Sequence, residues 1–521
     1  MNHWKNTKIL SVALLPAFLL AGCGGSTDTG SGDGDAPAAD GAKNVTVVIA
    51  TEPANVEPCN AENGGVKVLR FNVIEPLTDL DRTSREAIPH LATSWERVDP
   101  TTWVFQIREG VTFHDGEALD AEAVVFGLNR ALNNETVACS NTAKISAGVE
   151  LTPEATGQYE VTITTNQPDP ILDRELSFVD LVSPNTPADA ETDTPIGTGP
   201  YTWAAWNRTQ DIQLARYDGY WGAAPEADTV KLIFRVEDSQ RANAVTTGEA
   251  DIAFHVSDAN APEGDDTKVY TQDARFILRL PVKVEPFTDQ RVRDAVRHAI
   301  DRESIAAALL GRTGEPADQL VADSNNGYDP KFTAPDFDPA KAQELLDAAK
   351  ADGVDTSKPV DLTGMEGQFA GSNEVYQAIA QNLQESGFTV NLKIVDAEEW
   401  KKQLFRDTAS ADAATILGVK HDNPFGDASS SFTSYMYGGG CCGTADDAQM
   451  DGLITRGMAA EGAERQDLFQ QAAHIEYAEE ISLVGVSSLN AIMMLSDKVS
   501  YEPDALTDRF HGIRMEWLSF R

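Results

Sequence analysis

Two spacings of apolar residues alternate along this chain. Between Thr102 and Arg108, Trp103, Phe105 and Ile107 alternate with polar neighbours, which predicts a half-buried strand. A turn follows at His114-Asp115-Gly116, and Asp120 stands as the cap of a helix that carries Val124, Val125, Leu128 and Leu132 on one face. Residues 159–165 and 229–236 alternate again as strands, the second through Val230, Leu232, Phe234 and Val236. Farther on the spacing turns helical. Val292, Val296 and Ile300 form one stripe, and Asp338-Pro339 opens a helix with Leu345, Leu346 and Ala349 that Gly353 ends. Val360 to Leu362 reads as a short strand, Val375, Ile379 and Leu383 as a helical stripe closed by Gly387, and Val390, Leu392 and Ile394 as another strand. A strand, a helix and a strand in succession predict an α/β lobe. These stripes are core positions and carry no chemistry; the chain has no internal repeat.

The first residues are of another kind. Lys5 and Lys8 precede an apolar run from Ile9 to Ala21, then Leu20-Ala21-Gly22-Cys23. That is the layout of a signal peptide over 1–22, and the tetrapeptide resembles the bacterial lipobox, in which Cys23 takes a lipid and becomes the mature N-terminus. The run is too short to span a bilayer, which needs about 20 apolar residues. Residues 23–44 are polar and small and predict a disordered linker behind the anchor.

The whole chain has 521 residues, enough for two or three domains, and a net charge of −41. Such a surface repels nucleic acid and anionic lipid headgroups. With Cys23 assigned to lipid, Cys59, Cys139, Cys441 and Cys442 remain, an even number that suggests disulfides in an exported protein, with three pairings open.

Catalytic signatures are missing: there is no G-x-S-x-G, H-E-x-x-H or P-loop pattern. Gly438, Gly440 and Gly443 match G-x-G-x-x-G, but no apolar strand precedes them and no amphipathic helix follows, so a flexible glycine loop around two cysteines is expected. His114-Asp115 reads as turn structure rather than a dyad. His421-Asp422-Asn423-Pro424 comes directly after the apolar run from Ala413 to Val419, which puts Asp422 at the end of a buried strand, where α/β lobes bind ligands.

Several stretches carry a family resemblance. PHLATSW at 89–95 and WVFQIREGVTFHDGEALDAEAVVFGLNRAL from Trp103 to Leu132 resemble the signature of the extracytoplasmic solute-binding proteins of ABC importers, family 5, the dipeptide- and oligopeptide-binding group. PIGTGPY at 195–201, Tyr220-Trp221-Gly222, Gly248-Glu249-Ala250-Asp251-Ile252 and FTDQRVRDAVRHAIDRESI from Phe287 to Ile305 continue the pattern in family order. The resemblance implies an α/β, two-lobed, periplasmic-binding-protein-like fold of the type II, three-domain, oligopeptide-binding kind, with a hinge. Domain I would take 45–80, 195–284 and 489–521, domain II the insertion 81–194, and domain III, the second lobe, 285–488. It also implies a monomeric receptor without enzymatic activity or cofactor, lipid-anchored on the extracytoplasmic face, that closes around a peptide or other small ligand and delivers it to a permease and ATPase complex. In oligopeptide-binding relatives an acidic residue of the second lobe holds the ligand's α-ammonium; the match is Asp422, flanked by Lys420, His421 and Asn423, with Trp400 in the place of a pocket tryptophan. Glu62, Asn63 and Gly64 fall where relatives pair with the peptide backbone. Val419 and Ile416 depart from the relatives' aromatic and arginine, leaving Lys420 for the ligand's carboxylate. Group members with nickel chelates, opines, glutathione, haem or oligosaccharides as cargo keep those ligands open as alternatives, the nickel chelate through His421; a peptide sensor without transport, or a secreted hydrolase, would be a different role.

Overall fold

The computed structural model describes residues 41–521 except 61–63, 135, 138, 140–144, 146–147, 406–413, 424 and 508–511. The readings at the signal peptide, Cys23, nearly all of the linker, Glu62 and Asn63 lie outside the described residues.

Among the described residues, eleven strands form one mixed sheet, from Tyr201–Asn207 at one edge to Val390–Val395 at the other. Two strands of 13 residues, Thr267–Arg279 and Leu483–Leu495, lie antiparallel in its middle. They feed the cores of both lobes. Tyr270, Met493 and Leu495 pack with Val47, Val230 and Leu232 in the first lobe. Phe276, Leu278, Val484 and Val486 pack with Ile416 and Leu362 and with helices Gln290–Ala299, Pro339–Ala351 and Ser372–Glu385 in the second. The strand–helix–strand reading of 360–394 is present as Val360–Met365, Ser372–Glu385 and Val390–Val395, the two strands being parallel. Asp338 accepts from the Lys341 N–H at 2.9 Å with Pro339 opening the helix, a cap that contributes about 1 kcal/mol.

A separate core lies between four antiparallel strands, Ala92–Asp99, Thr102–Ile107, Glu160–Thr165 and Leu151–Gly157, and helix Ala121–Leu132. Trp103, Phe105 and Ile107 are buried in it, in the alternation read from the sequence, and Asp120 accepts from the Ala123 N–H. The strand expected over 229–236 stops at Phe234, and Val236 is 72% exposed, because the chain turns there toward helix Asp238–Thr246. His114 donates its backbone N–H to the Gly197 carbonyl at 2.9 Å, and its Nε2 lies 2.9 Å from the Gly199 carbonyl oxygen. Asp115 accepts from the Ser183 hydroxyl at 2.6 Å. His114 therefore fastens the turn to the segment 195–201, and Asp115 fastens it to Ser183. That segment needs glycine, since a Cβ at Gly197 would stand 2.0 Å from the Val73 carbonyl oxygen.

Cys59 and Cys139 form a disulfide across a sequence separation of 80, while Cys441 and Cys442 are free thiols. Closing a loop of that length removes about 4 kcal/mol of unfolded-chain entropy. Replacing both Cys59 and Cys139 by Ser is expected to lower unfolding free energy by roughly 2–5 kcal/mol; urea unfolding followed by tryptophan fluorescence checks this, and an unchanged midpoint would contradict it.

Candidate functional site

Strand Thr415–Asp422 lies against the crossing strand Thr267–Arg279, with Asp422 opposite Ala274. Strand geometry sends alternate side chains to opposite faces. Leu417 and Val419 enter one core of the second lobe and Ile416 the other, all fully buried. The positions that depart from the relatives' pattern, Ile416 and Val419, are thus core residues here.

Beyond Val419 the strand turns polar. His421 Nε2 lies 2.8 Å from Ser431 Oγ and the ring meets Tyr435 edge-on at 4.9 Å. Asn423 donates its amide to the Asp427 carbonyl at 2.7 Å and to Ser431 Oγ at 3.1 Å. These two side chains tie the strand end to helix Ser429–Tyr435. Lys420 reaches the crossing strand, donating to Gln272 Oε1 at 2.8 Å.

Opposite Asp422 the crossing strand is irregular. Thr271 pairs with Asn490 and Ala274 with Leu489, so Gln272 and Asp273 are extra residues in the ladder. Asp273 has φ +51°, a left-handed conformation that costs a non-glycine residue about 1 kcal/mol or more. Its carbonyl accepts from the Asn423 N–H at 3.4 Å. Asp273 and Asp422 are 8% and 7% exposed, so two carboxyl groups share a nearly dry strand end. Burial raises the Asp273 carboxyl above its usual value and the Asp422 charge pushes the same way, against the pull of Arg85 and Arg275. A cation placed between two such carboxylates relieves both.

The turn after Asp422 is braced from both sides. Phe425 offers its carbonyl to Arg174 Nη1 at 3.1 Å and meets Phe178 edge-on at 4.8 Å. Gly426 has φ +63°, and a Cβ there would lie 2.9 Å from Arg85 Cβ. Asp427 and Arg465 form a buried two-point ion pair at 2.7 and 2.8 Å. Burial alone would raise the Asp427 carboxyl, but the Arg465 guanidinium outweighs it and holds the group at about 2.

Trp400 is 9% exposed, packs in the second-lobe core and donates its indole N–H to the Gly418 carbonyl at 2.9 Å, which leaves little of the ring for a ligand. Gly64 begins a 3-10 turn, Gly64–Leu69. The segment Gly438 to Gly443, expected to be flexible, is folded back on helix Ser429–Tyr435: the Cys442 N–H donates to the Ser434 carbonyl at 3.0 Å, and a Cβ at Gly440 would stand 2.3 Å from the Thr433 carbonyl oxygen. Sequence reasoning missed Asp273, Arg275 and Arg85. The polar break Gln272-Asp273 ahead of the apolar run Phe276 to Leu278 was the signal for the first two; nothing local to Arg85 marks it. Among the described residues no group of three or more His, Cys, Asp or Glu is arranged to hold a metal, and no helix is long and apolar enough to cross a membrane.

The model of the bacterial extracellular solute-binding proteins, family 5, matches residues 86–440. The chain belongs to that family. It is 26% identical over 370 residues to the glutathione-binding protein GsiB of Pectobacterium atrosepticum, covering 68% of this chain and 70% of that protein. Among solved structures it resembles the ABC transporter substrate-binding protein CtaP of Listeria monocytogenes (TM-score 0.79, 19% identity, 92% of this chain and 99% of the other). It also resembles DppA of Helicobacter pylori in complex with the peptide STSA (TM-score 0.75, 18% identity, 92% and 98%). As a family 5 solute-binding protein, it serves an ABC importer outside the cytoplasm and holds its solute without transforming it.

In this solute-binding protein the Asp427–Arg465 pair fixes the turn that carries Asp422. Arg465→Met strands a buried carboxylate and is expected to cost about 3–5 kcal/mol. Because the folded Asp427 carboxyl is depressed below its usual 3.8, its contribution is full above that value and is lost as pH falls toward about 2. Urea midpoints measured between neutral and strongly acidic pH should therefore converge for wild type and Asp427→Asn at the acid end; a constant gap would contradict this assignment.

Proposed function

We propose that this protein is the lipid-anchored peptide receptor of an ABC importer. Cys23 carries the anchor, the two lobes close on a short peptide, and the closed receptor docks on its permease. The observation that carries the peptide reading is the buried acidic strand end of Asp422 and Asp273. A free α-ammonium is a charged donor that these carboxylates can accept, and a hydrogen bond to a charged group contributes about 1.5–3 kcal/mol. Lys420, on the same strand, is the cation for the peptide's carboxylate. The class includes small peptides such as glutathione, the ligand named for the relative GsiB. The nickel-chelate alternative is less favoured, because His421 is engaged with Ser431 and Tyr435.

The separate cores support a division into domain I (45–80, 195–284 and 489–521), domain II (81–194) and domain III (285–488), with residues 267–279 and 483–495 joining the first to the third. The receptor works as a monomer.

Mass spectrometry of ligand released from purified protein should recover short peptides with free N-termini; sugars or metal chelates in their place would sink the reading. Asp422→Ala is expected to weaken binding of a free-amine peptide by about 1.5–3 kcal/mol and to abolish discrimination against its N-acetylated form. Equal affinity of the wild type for both forms, by calorimetry, would remove the role given to Asp422. For Cys23→Ala, loss of the protein from the membrane fraction with peptide affinity retained is expected; continued membrane association would contradict the anchor.

A further inference from the structure

The acidic strand end leaves one cluster of nucleophilic groups unused. Cys441 and Cys442 follow helix Ser429–Tyr435 on the folded-back glycine segment and differ in every respect that matters for reactivity. Cys442 is 4% exposed and sits in a core with Tyr435 and Met436. Its N–H is held by the Ser434 carbonyl and its own carbonyl accepts from Arg279 Nη1 at 2.9 Å. Cys441 is exposed. It opens on a cavity of about 590 Å³ walled on one side by Gln167 and Pro168, beside the four-stranded sheet, and on the other by Tyr437, Ile454 and Met458 of the second lobe. Among the described residues that line the cavity, none is charged.

The two sulfurs polarise one another. The neighbouring sulfur and the Arg279 charge draw the exposed Cys441 thiol down to about 7, while the neighbouring sulfur and burial push the Cys442 thiol up. The exposed sulfur is therefore the nucleophile and the buried one remains a thiol.

We propose that Cys441 is a modification site that takes a small thiol compound into this cavity as a mixed disulfide. The oxidant is a low-molecular-weight disulfide, R–S–S–R, of the oxidising compartment in which Cys59–Cys139 forms. The Cys441 thiolate attacks one sulfur, the new S–S bond forms as the reagent's own breaks, and R–S⁻ leaves with the electron pair and takes up the proton that Cys441 gave up. Cys441 is oxidised, one R–S is reduced to R–SH, and the count of thiols and disulfides is unchanged. Cys442 does not resolve the adduct: its backbone is pinned by Ser434 and Arg279, and it stays protonated. The adduct occupies the seam between the four-stranded sheet and the second lobe.

The test uses the full mature chain, purified without reductant, then treated with hydroxyethyl disulfide and digested for mass spectrometry. One hydroxyethylthio group on Cys441 is expected, formed in the native protein at least about tenfold faster than any on Cys442. It should be removed by a small reductant, absent from Cys441→Ser, and retained in Cys442→Ser. Modification of Cys442 first, a Cys441–Cys442 disulfide in place of the adduct, or labelling only after denaturation would overturn the proposal. Circular dichroism of both variants separates lost reactivity from lost folding.

Discussion

Everything in this molecule hangs on two strands that belong to the cores of two lobes at once. Thr267–Arg279 and Leu483–Leu495 give Tyr270, Met493 and Leu495 to the first lobe and Phe276, Leu278, Val484 and Val486 to the second. Burial of such side chains is worth about 1.5–3 kcal/mol each, so neither strand can leave one lobe without unpacking it. The lobes are therefore joined by backbone under load at both ends and not by loose linkers. The ladder between these strands is irregular at two places, at Gln272 and Asp273 and between Phe276 and Ile277.

The acidic strand end sits at the first of these places. Two carboxyl groups, each less than a tenth exposed, repel one another in a medium that screens them poorly. Arg85 and Arg275 offset part of that repulsion and a bound cation would offset more. The surroundings are stiff: Asn423, His421 and Phe425 each make contacts that fix the turn, and Asp427–Arg465 locks its far end. Rigid walls hold these charges where they stand, so a ligand bound there would have to fit them.

Local patterns were legible in the sequence wherever one face of an element is buried. The alternation of Trp103, Phe105 and Ile107, the cap at Asp120 and the strand–helix–strand run from Val360 to Val395 all followed from spacing. The crossing strands were not found, because Thr267–Arg279 is polar in its first half and Leu483–Leu495 is apolar on both faces, so neither shows a clean period. Trp400 illustrates a different limit: the bond from its indole N–H to the Gly418 carbonyl joins a helix to a strand and has no mark in the local sequence. The strand end at Asp422 could be read from a turn following an apolar run. Its partner Asp273 could not, since a left-handed residue in a bulge announces itself only once register is known.

The bulge also sets a mechanical leverage. A strand advances about 3.4 Å per residue, so the outer ends of the two long strands lie roughly 20 Å from Asp273. A charge that shifts the backbone there by a few tenths of an ångström acts on the short arm, and the rims of the lobes travel on the long one. A change at one bend in one strand would thereby be carried to residues about 20 Å away on either side.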